Sequence, residues 1–504
     1  MSRHFARVLL TLSLAALPAL RAQTNAAAAP APSQASAPLT LEDCIARAMK
    51  KNFDLQIQAY STDIAKENLV IAKTDFDPTL NASVGRALSQ SASTTSTLDG
   101  TTAVGPRSDG TTASVGVSEK LAQTGGIVGL SGNVNRAATN SSYSTLNPAF
   151  GSSVTATVSQ PLLKGAGSTV ARANVETNKL GVSIAILNYR SRVLTVIRDT
   201  ETAYYNLVAA RETLRIRQLS LDLAQKLYDE NLARRASGVM TDLDVLTAEV
   251  GVERARLAVI QGEQGVRNSE DALLAFFTPS DFDTRPGPVT FTDYADGVPS
   301  FAASYKLVRD TFPDYLSTDE TIKQLEISLA VARQNRLPAL NANASLGYNS
   351  TDRSYGDALN ALPRDHGNNW SLGLTYSMPW GMKADNARYR SSLASLNSEK
   401  ARLAQLEQSL IVQVRSDVRA VETNLASVAI AAKATELSEK TYEQQDARFH
   451  AGLATSRIVL QAQDDLETAR LNELTTKVAL RTAVAELHRL EGTSIDRFKI
   501  QLTE

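Results

Sequence analysis

The stretch WSLGLTYSMPW, residues 370–380, holds both tryptophans of the 504-residue chain. Successive side chains of a β-strand point to opposite faces, so the even positions form an apolar face and the odd positions a small, mostly polar one. Ten steps of about 3.3 Å along a strand tilted by about 40° rise about 25 Å, the apolar height of a membrane β-barrel. The pattern predicts a lipid-facing strand with Trp370 and Trp380 at the two membrane interfaces. A half-buried strand of a soluble sandwich is the alternative.

Two pairs of similar segments indicate that the chain is internally duplicated. DPTLNASVG (77–85) is similar to LPALNANASLG (337–347), and residues 227–257 are similar to 441–471 at an offset of 214. A period above 200 residues indicates two large units rather than a solenoid. We expect a first structural repeat over 39–277, a connecting segment over 278–304, a second repeat over 305–491 and a C-terminal tail over 492–504.

The first repeat is longer than the second between its two proline markers. Pro78 and Pro161 are 83 positions apart, whereas Pro338 and Pro379 are 41 apart. The extra length holds two alternating runs on either side of the turn sequence AQTGG. This arrangement predicts an added β-hairpin at 112–135.

Six alternating runs are expected to be strands, four within 79–160 and two within 339–380. Each run places apolar residues on one face and Ser, Thr, Asn or Gly on the other, which is typical of a water-lined barrel. Stretches rich in Ser, Thr, Gly and Asn are expected to be outer loops, at 89–111, 136–152 and 350–369.

Between the strand groups the hydrophobic period becomes that of a helix. Apolar residues recur every seven positions from Leu207 to Tyr228 within the proline-free segment 170–236, which predicts a coiled-coil seam. The second repeat has an equally long segment at 383–449, and about 66 residues at 1.5 Å each make a rod of about 100 Å. Helices this long need neighbouring helices to pack against. Shorter helices are expected near 41–75, 241–277, 318–336 and 456–490.

The N-terminal residues 1–22 have the features of a secretory signal peptide, because Arg3 and Arg7 precede an apolar run too short to span a membrane. Residues 23–38 are rich in Ala, Pro and Ser and are expected to be flexible. Removal of the three signal arginines takes the formal charge from −1 to −4, too small a bias to indicate a nucleic-acid partner. The single cysteine, Cys44, excludes an internal disulfide and is expected to be a small buried helix residue.

No residue pattern in the sequence predicts catalysis, a cofactor or a metal. The histidines at positions 4, 366, 450 and 488 have no partner at metal or catalytic-triad spacing. GAGSTV (165–170) lacks the third glycine of a dinucleotide-binding fingerprint and is interpreted as a strand-to-helix bend. We therefore expect a protein that is not an enzyme.

The ends of the two long helices carry similar turn signals. Gly238 and Gly452 follow the helices and are expected to stop them. Thr241 and Asp244 have the spacing of a capping box, which would start the next helix. Each helical hairpin is therefore expected to have a tight, defined turn.

Several motifs together resemble the TolC-like outer membrane efflux proteins, the outer membrane factors. They are LTLEDCIARAMKKNFDLQIQA (39–59), the markers DPTL, LPAL, SQPLL and SMPW, and the doubled turn A-x(3–4)-G-x-x-[TS]-x-x-x-V-L-x-A, over about residues 39–491. The resemblance implies an α+β membrane protein, with an outer-membrane β-barrel continued by a long periplasmic α-helical coiled-coil barrel. It implies a homotrimer of an internally duplicated protomer, without a cofactor. The implied partners are a periplasmic adaptor (membrane fusion protein), an inner-membrane pump of RND, ABC or similar type, and outer membrane lipid.

The added hairpin departs from the family pattern, in which each protomer usually gives four strands to a twelve-stranded barrel. If the hairpin at 112–135 joins the barrel, the chain gives six strands and the barrel has eighteen. Otherwise the hairpin plugs or caps the barrel. The sequence leaves both arrangements open.

The resemblance also assigns roles to the periplasmic turns. Carboxylates of the first turn, Asp242 and Asp244, correspond to a latch, with Arg457 as the candidate partner, although the family's usual arginine would fall at Ala454. Ile458 and Gln461 replace the family's carboxylate ring, which predicts a more apolar constriction. A structural alternative for the two aspartates is favourable charge at a helix N-terminus. Adaptor contact is carried over to Ala236, Ser237, Gly238, Val239, Met240, Ala451, Gly452, Leu453, Ala454 and Thr455.

Two functions of different class follow from these patterns. The first is a trimeric outer membrane exit duct of a tripartite efflux or type I secretion system, passively conducting substrates from a pump and adaptor. The second is a periplasmic coiled-coil adaptor or scaffold without a pore. The six amphipathic strands favour the duct, and the exported substrate, whether drug, metal or protein, is not encoded in any motif.

Overall fold

A computed structural model describes residues 39–92, 105–141, 143–277, 286–291, 294 and 297–501. The predicted signal peptide (1–22) and flexible segment (23–38) lie outside the described residues, as do parts of the predicted connecting segment and of the loop at 89–111. The described strands are β1 Thr79–Gln90, β2 Arg107–Lys120, β3 Ile127–Thr139, β4 Ala149–Pro161, β5 Ala339–Asp352 and β6 Gly367–Ser377. The described α-helices are α1 Leu41–Lys51, α2 Phe53–Lys73, α3 Ser168–Ala171, α4 Ala173–Ala236, α5 Asp242–Leu274, α6 Phe301–Thr311, α7 Pro313–Gln334, α8 Tyr355–Ala361, α9 Lys383–His450, α10 Ser456–Glu491 and α11 Ser494–Arg497.

The strands form one antiparallel sheet in the order β1-β2-β3-β4-β5-β6. The added hairpin is therefore part of the sheet, as β2 and β3 between β1 and β4, and does not plug or cap it within the chain. Its turn relies on Gly125, whose φ of +77° suits a residue without a Cβ. Each chain thus contributes six strands to one wall.

The alternation predicted from the sequence holds across all six strands in the middle of the sheet. A line of directly paired residues crosses the six strands on one apolar face: Leu80, Val117, Leu130, Ala156, Leu346 and Trp370. The adjacent line is small and polar: Asn81, Gly116, Ser131, Thr155, Gly347 and Asn369. On the polar face the hydroxyls of Ser83 and Ser114 lie 2.7 Å apart. One face of the wall is thus apolar and the other is a layer of short polar side chains.

The strands are strongly staggered against one another. The apolar line begins at Leu80, the second residue of β1 at its helical end, and finishes at Trp370, the fourth residue of β6 from its loop end. Strands that close into a barrel must be tilted and staggered in this way. The outer strands β1 and β6 each pair on one side only within the described part of the chain.

Two sequence predictions about the sheet need correction. Trp380 does not lie in the strand, because β6 ends at Ser377, where its partner β5 begins, and Pro379 has no N–H to extend the ladder. Trp380 is 98% exposed in the turn that precedes α9. The outer loops are shorter than predicted, since strands extend into all three polar stretches and α8 forms within the third.

The long helices agree with the predicted segments. Helix α4 has 64 residues and α9 has 68, so each is about 100 Å long. The predicted helix at 41–75 is divided at Asn52, whose side chain accepts hydrogen bonds from the backbone N–H groups of Asp54 and Leu55 and so starts a new helix. Helix α7 starts earlier than predicted, at Pro313, a favourable first-turn position for proline.

The buried core lies around the middle of the long helices. One cluster joins α1 to α4 and includes Cys44, Ile197 and Leu207, and a second joins α6, α9 and α10 around Val308 and Val414. Cys44 is buried as predicted, and burial raises the pKa of its thiol to about 12. Among the described helices, α4 alone contains a stretch long and apolar enough to cross a membrane, and part of it lies in the first cluster.

Candidate functional site

The two helical hairpins end in turns of the same geometry. After α4, the N–H of Val239 donates to the carbonyl of Arg234 at 3.0 Å, and Gly238 has a φ of +76°. After α9, the N–H of Leu453 donates to the carbonyl of Arg448 at 2.8 Å, and Gly452 has a φ of +73°. These bonds define a Schellman motif, in which glycine takes the left-handed position. The predicted glycine stops are confirmed at both turns.

The helices that follow the turns begin differently. Thr241 and Asp244 form the predicted capping box at α5: the Asp244 N–H donates to Thr241 Oγ1 at 3.3 Å, and the Thr241 N–H donates to Asp244 Oδ2 at 3.1 Å. At α10 the side chain of Thr455 makes no capping bond, and Ile458 occupies the position equivalent to Asp244. Among the described residues, the buried hydroxyl of Ser456 has no hydrogen-bond partner. Only the first of the two turns is fixed by side-chain capping.

Within the described residues of one chain, the two carboxylates of the predicted latch are paired inside their own hairpin, and the latch stays a prediction. Asp242 pairs instead with Arg235 at 2.5 Å, and Asp244 is engaged in the capping box. Within the described residues no ion pair joins either carboxylate to Arg457. Each carboxylate therefore has a partner in its own hairpin: Arg235 for Asp242, and Thr241 for Asp244.

A groove of about 750 Å³ runs between α5 and α10 near the turns, and Arg457 and Gln461 line it. Its walls also carry charge: Arg254 stands 3.7 Å from Asp464, and Glu467 accepts a hydrogen bond from the Ser220 hydroxyl at 2.5 Å. Ile458 is exposed nearby. This region is therefore mixed in character, with an apolar tip and charged groups behind it.

The sequence did not reveal how the two hairpins contact each other. Phe449 is fully buried, and the Arg234 guanidinium lies 4.3 Å from its ring centre while donating to its carbonyl oxygen at 3.0 Å. Glu230 accepts from Arg234 at 2.5 Å and pairs with His450 at 2.9 Å. Arg234 recurs as Arg448 in the duplication. No periodicity in either segment, however, indicates that Arg234 contacts Phe449.

The tips of the hairpins expose large apolar side chains. Val239, Leu243 and Leu453 are among the most exposed aliphatic residues of the helical region. Such residues at the end of a rod form a surface suited to a partner rather than to water. This surface, which we term the tip surface, includes the predicted adaptor-contact turns.

A buried carboxyl lies in the middle of the helical region. Glu201 of α4 is 7% exposed, and burial raises the pKa of its carboxyl to about 7, partly offset by Arg497 and Arg481. The Arg481 guanidinium also lies 5.4 Å from the ring centre of Tyr205. Neither the helical periodicity nor a motif in the sequence indicates that Glu201 is buried. Among the described residues, no group of three or more His, Cys, Asp and Glu side chains could hold a metal ion.

The sequence matches the family model described as outer membrane efflux protein over residues 44–277 and 318–493. The chain belongs to the outer membrane efflux protein family. The two matched segments follow the internal duplication, and the family is one of channels. Its members lie in the outer membrane with a periplasmic helical domain, so this chain carries its strands in the membrane and its long helices in the periplasm.

Characterised relatives are distant in sequence. The chain is 21% identical over 328 residues to outer membrane protein TolC of Escherichia coli, an alignment that covers 60% of this chain and 64% of TolC. It is 23% identical over 308 residues to the probable efflux pump outer membrane protein TtgC of Pseudomonas putida, covering 58% of this chain and 61% of TtgC. The alignments thus span just under two thirds of these relatives.

Solved structures share the fold over almost the whole chain. The CmeC outer membrane channel of Campylobacter jejuni superposes with a TM-score of 0.69 and 16% identity, covering 90% of this chain and 86% of CmeC. The open state of the MtrE outer membrane channel of Neisseria gonorrhoeae gives a TM-score of 0.63 and 16% identity, covering 90% of this chain and 88% of MtrE. The predicted fold class, a barrel wall continued by long helices, is confirmed.

Proposed function

We propose that three copies of this chain form the exit duct of a tripartite efflux or type I secretion system. The observation that carries the proposal is the six-stranded wall, which is apolar on one face and small and polar on the other. Among the described residues its outer strands β1 and β6 are paired on only one side. Exposed strand edges need partners, and closure into a barrel removes them. Three walls would give eighteen strands around a polar, water-filled lumen.

The helices extend the duct across the periplasm in this proposal. Each copy would supply four staves of a helical barrel, and three copies twelve: the long helices α4 and α9, and two lengthwise pairs of shorter helices, α2 with α5 and α7 with α10. Their ends carry the tip surface, where small residues and exposed aliphatic side chains suit the approach of another helical hairpin. We propose that a periplasmic adaptor binds there and connects the duct to an inner-membrane pump of RND, ABC or similar type.

The gate would lie at the same end. Asp242, Asp244, Arg457, Ile458 and Gln461 are the candidates, and any latch of Arg457 with a carboxylate must join different copies, because the partners within one chain are already engaged. Replacement of Arg457 by alanine should then raise the conductance of the closed channel. An unchanged closed conductance would remove Arg457 from the gate.

A coiled-coil adaptor or scaffold without a pore explains the hairpins but gives no role to the wall.

We propose that the duct is a passive conduit without catalysis and that the pump determines which substrates are exported. The duct predicts discrete single-channel openings when the purified mature protein is added to a planar lipid bilayer. A protein that stays soluble and monomeric without detergent would support the scaffold instead.

Neighbouring residues of β6 provide a matched pair of variants for that experiment. Leu374→Arg places a charge on the apolar face, where a midplane arginine costs about 2 to 4 kcal/mol, and should block insertion. Thr375→Arg places the same charge on the polar face and should still insert, with altered conductance. Equal insertion of both variants would contradict the assignment of the two faces.

A further inference from the structure

The short helix α8 packs against the apolar face of the wall rather than beyond its rim. The Ser152 hydroxyl, on the same face as Val154, donates to the carbonyl of Ala358 at 2.8 Å. On that face the rings of Phe150 and Tyr355 meet edge to face with centres 4.6 Å apart. Ala358 is completely buried by this packing. In the proposed barrel the apolar face is the outer one, so α8 lies on the outside. Because α8 connects the loop ends of β5 and β6, it lies at the end away from the periplasm.

An apolar groove of about 410 Å³ runs between α8 and the wall. Leu359 and Leu362 form the helix side, and the wall side includes Val84, Val134 and Val154. Its volume lies within the range of about 300 to 1,000 Å³ that is usual for sites of small molecules. In a barrel this groove would open toward the lipid, so its contents would be hydrocarbon rather than water.

A basic cluster lies directly outward of the groove on the same face. Arg86 follows Val84 by two residues on β1, and Arg136 follows Val134 by two residues on β3, both toward the loop end. Asp109 of β2 lies between them: Arg86 Nη2 is 2.7 Å and Arg136 Nη1 3.9 Å from Asp109 Oδ2. Two guanidinium groups share one carboxylate, so the cluster retains positive charge.

In this cluster a positive group is more exposed than the carboxylate. The Arg86 side chain is 70% exposed, whereas that of Asp109 is 16% exposed. Arg107, two residues beyond Asp109 on the same face of β2, adds a further positive charge. The nearest carboxylate of α8, Asp357, is engaged by the Ser354 hydroxyl at 2.7 Å at the helix start. Anionic oxygens are the favoured partners of such exposed guanidinium groups.

We propose that this site binds the phosphorylated, polyacylated glycolipid of the outer leaflet, with an acyl chain in the groove below α8 and a phosphate on Arg86 and Arg136. The inference rests on the proposed barrel, because only there does the apolar face meet the outer leaflet. An apolar slot with a cationic rim at the membrane interface matches an anionic amphiphile in shape and in charge. The bound lipid would hold α8 against the wall and stabilise the loop end of the barrel.

The test compares trimers purified in detergent by native mass spectrometry after titration with lipid A. Lipid A should bind wild type about tenfold more tightly than it binds the variant Arg86→Gln/Asp109→Asn/Arg136→Gln, since bonds between charged groups and phosphate are lost. This triple variant leaves no unpaired Asp109 and so protects folding. Lys120→Gln, at the helical end of β2, is the control and should bind as wild type does.

A second variant tests the groove independently of charge. Val134→Trp fills the slot and should also weaken binding about tenfold, and dephosphorylated lipid A should bind wild type as weakly as lipid A binds the triple variant. Equal binding of lipid A to all variants would overturn the proposal, and so would equally tight binding of phosphatidylglycerol to wild type. Bilayer conductance of the same samples separates the two proposals: trimers that conduct but do not discriminate lipids refute only the lipid site, whereas a wild type that forms no conducting trimer refutes both.

Discussion

The two hairpin turns share a backbone geometry but are held in place by different means. After α4, a capping box of Thr241 and Asp244 fixes the start of α5 through bonds within the turn. After α9, the start of α10 has no such box, and Phe449 is instead buried against Arg234 of the other hairpin. The duplication has thus preserved the shape of the turn and not its anchoring. Separation of the hairpins would release the second turn and leave the first one intact.

The largest difference between the turns should follow from Phe449→Ala. The loss of a buried aromatic ring should lower the free energy of local opening at the second turn by about 3 to 5 kcal/mol. Hydrogen exchange measured by mass spectrometry should show faster exchange in residues 440–460 than in 227–247. The duplication supplies the control, Arg235→Ala, at the equivalent position of the first turn. Arg235 makes an exposed ion pair, and its loss should cost at most about 1 kcal/mol.

The halves also differ at their middle, where Glu201 of α4 is equivalent to Arg415 of α9 at the offset of 214. The folded state holds the Glu201 proton more tightly than the unfolded state, because the pKa of the carboxyl rises from 4.5 to about 7. Stability is therefore expected to fall as the pH rises between these values, by up to about 3 kcal/mol. Glu201→Gln should raise the midpoint of thermal unfolding at pH 8 and leave it unchanged near pH 4.

The exposed Glu422 of α9 gives the control for that experiment. Glu422→Gln removes a carboxylate from the surface and should leave the difference in thermal midpoint between pH 4 and pH 8 as it is in wild type. If Glu201→Gln behaved like Glu422→Gln, burial would not be the source of the pH dependence.

Where the turns are alike, matched variants should have matched effects. Gly238→Ala and Gly452→Ala each place a Cβ at a residue with φ above +70°, which costs roughly 1 to 2 kcal/mol. The new Cβ would meet open space at both positions, so no clash adds to this cost. Local opening energies from hydrogen exchange should fall by the same amount at both turns, and unequal losses would contradict the shared geometry.

The smallest expected effect concerns the difference in capping. Thr241→Ala removes the hydroxyl that accepts from Asp244 and should cost about 1 kcal/mol at the first turn. Thr455→Ala removes a hydroxyl that makes no capping bond and should cost only a few tenths of that. Hydrogen-exchange rates of the first amides of α5 and α10 measure both free-energy costs. Similar losses would mean that Thr455 caps α10 in solution.

Much of the fold could be predicted because it is encoded in short-range periodicity. The period of two in TLNASVG and WSLGLTYS, and the long segments without proline, gave the six strands and the two long helices within a few residues. Strand ends were less accessible, since the end of β6 at Ser377 depends on where its partner β5 begins, and that partner is 38 residues earlier in the chain.

The candidate site was only partly predictable for the same reason. The capping box and the glycine turns are local and were found from spacing alone. The contact of Phe449 with Arg234, the burial of Glu201 and the packing of α8 on the wall each join segments far apart in sequence. The pairing of Arg457 with Asp242 or Asp244 stays a prediction, because within the chain Asp242 instead pairs with Arg235 of its own hairpin.

The added hairpin also changes how the duct would resist flow. At equal tilt a barrel's radius grows roughly in proportion to its strand number, so eighteen strands enclose about twice the cross-section of twelve. The helical section gains nothing, because β2 and β3 add no helix. Electrical and hydraulic resistance would therefore concentrate in the periplasmic section. Changes at the hairpin tips should then dominate the measured conductance, while the outer barrel behaves as a wide, low-resistance vestibule.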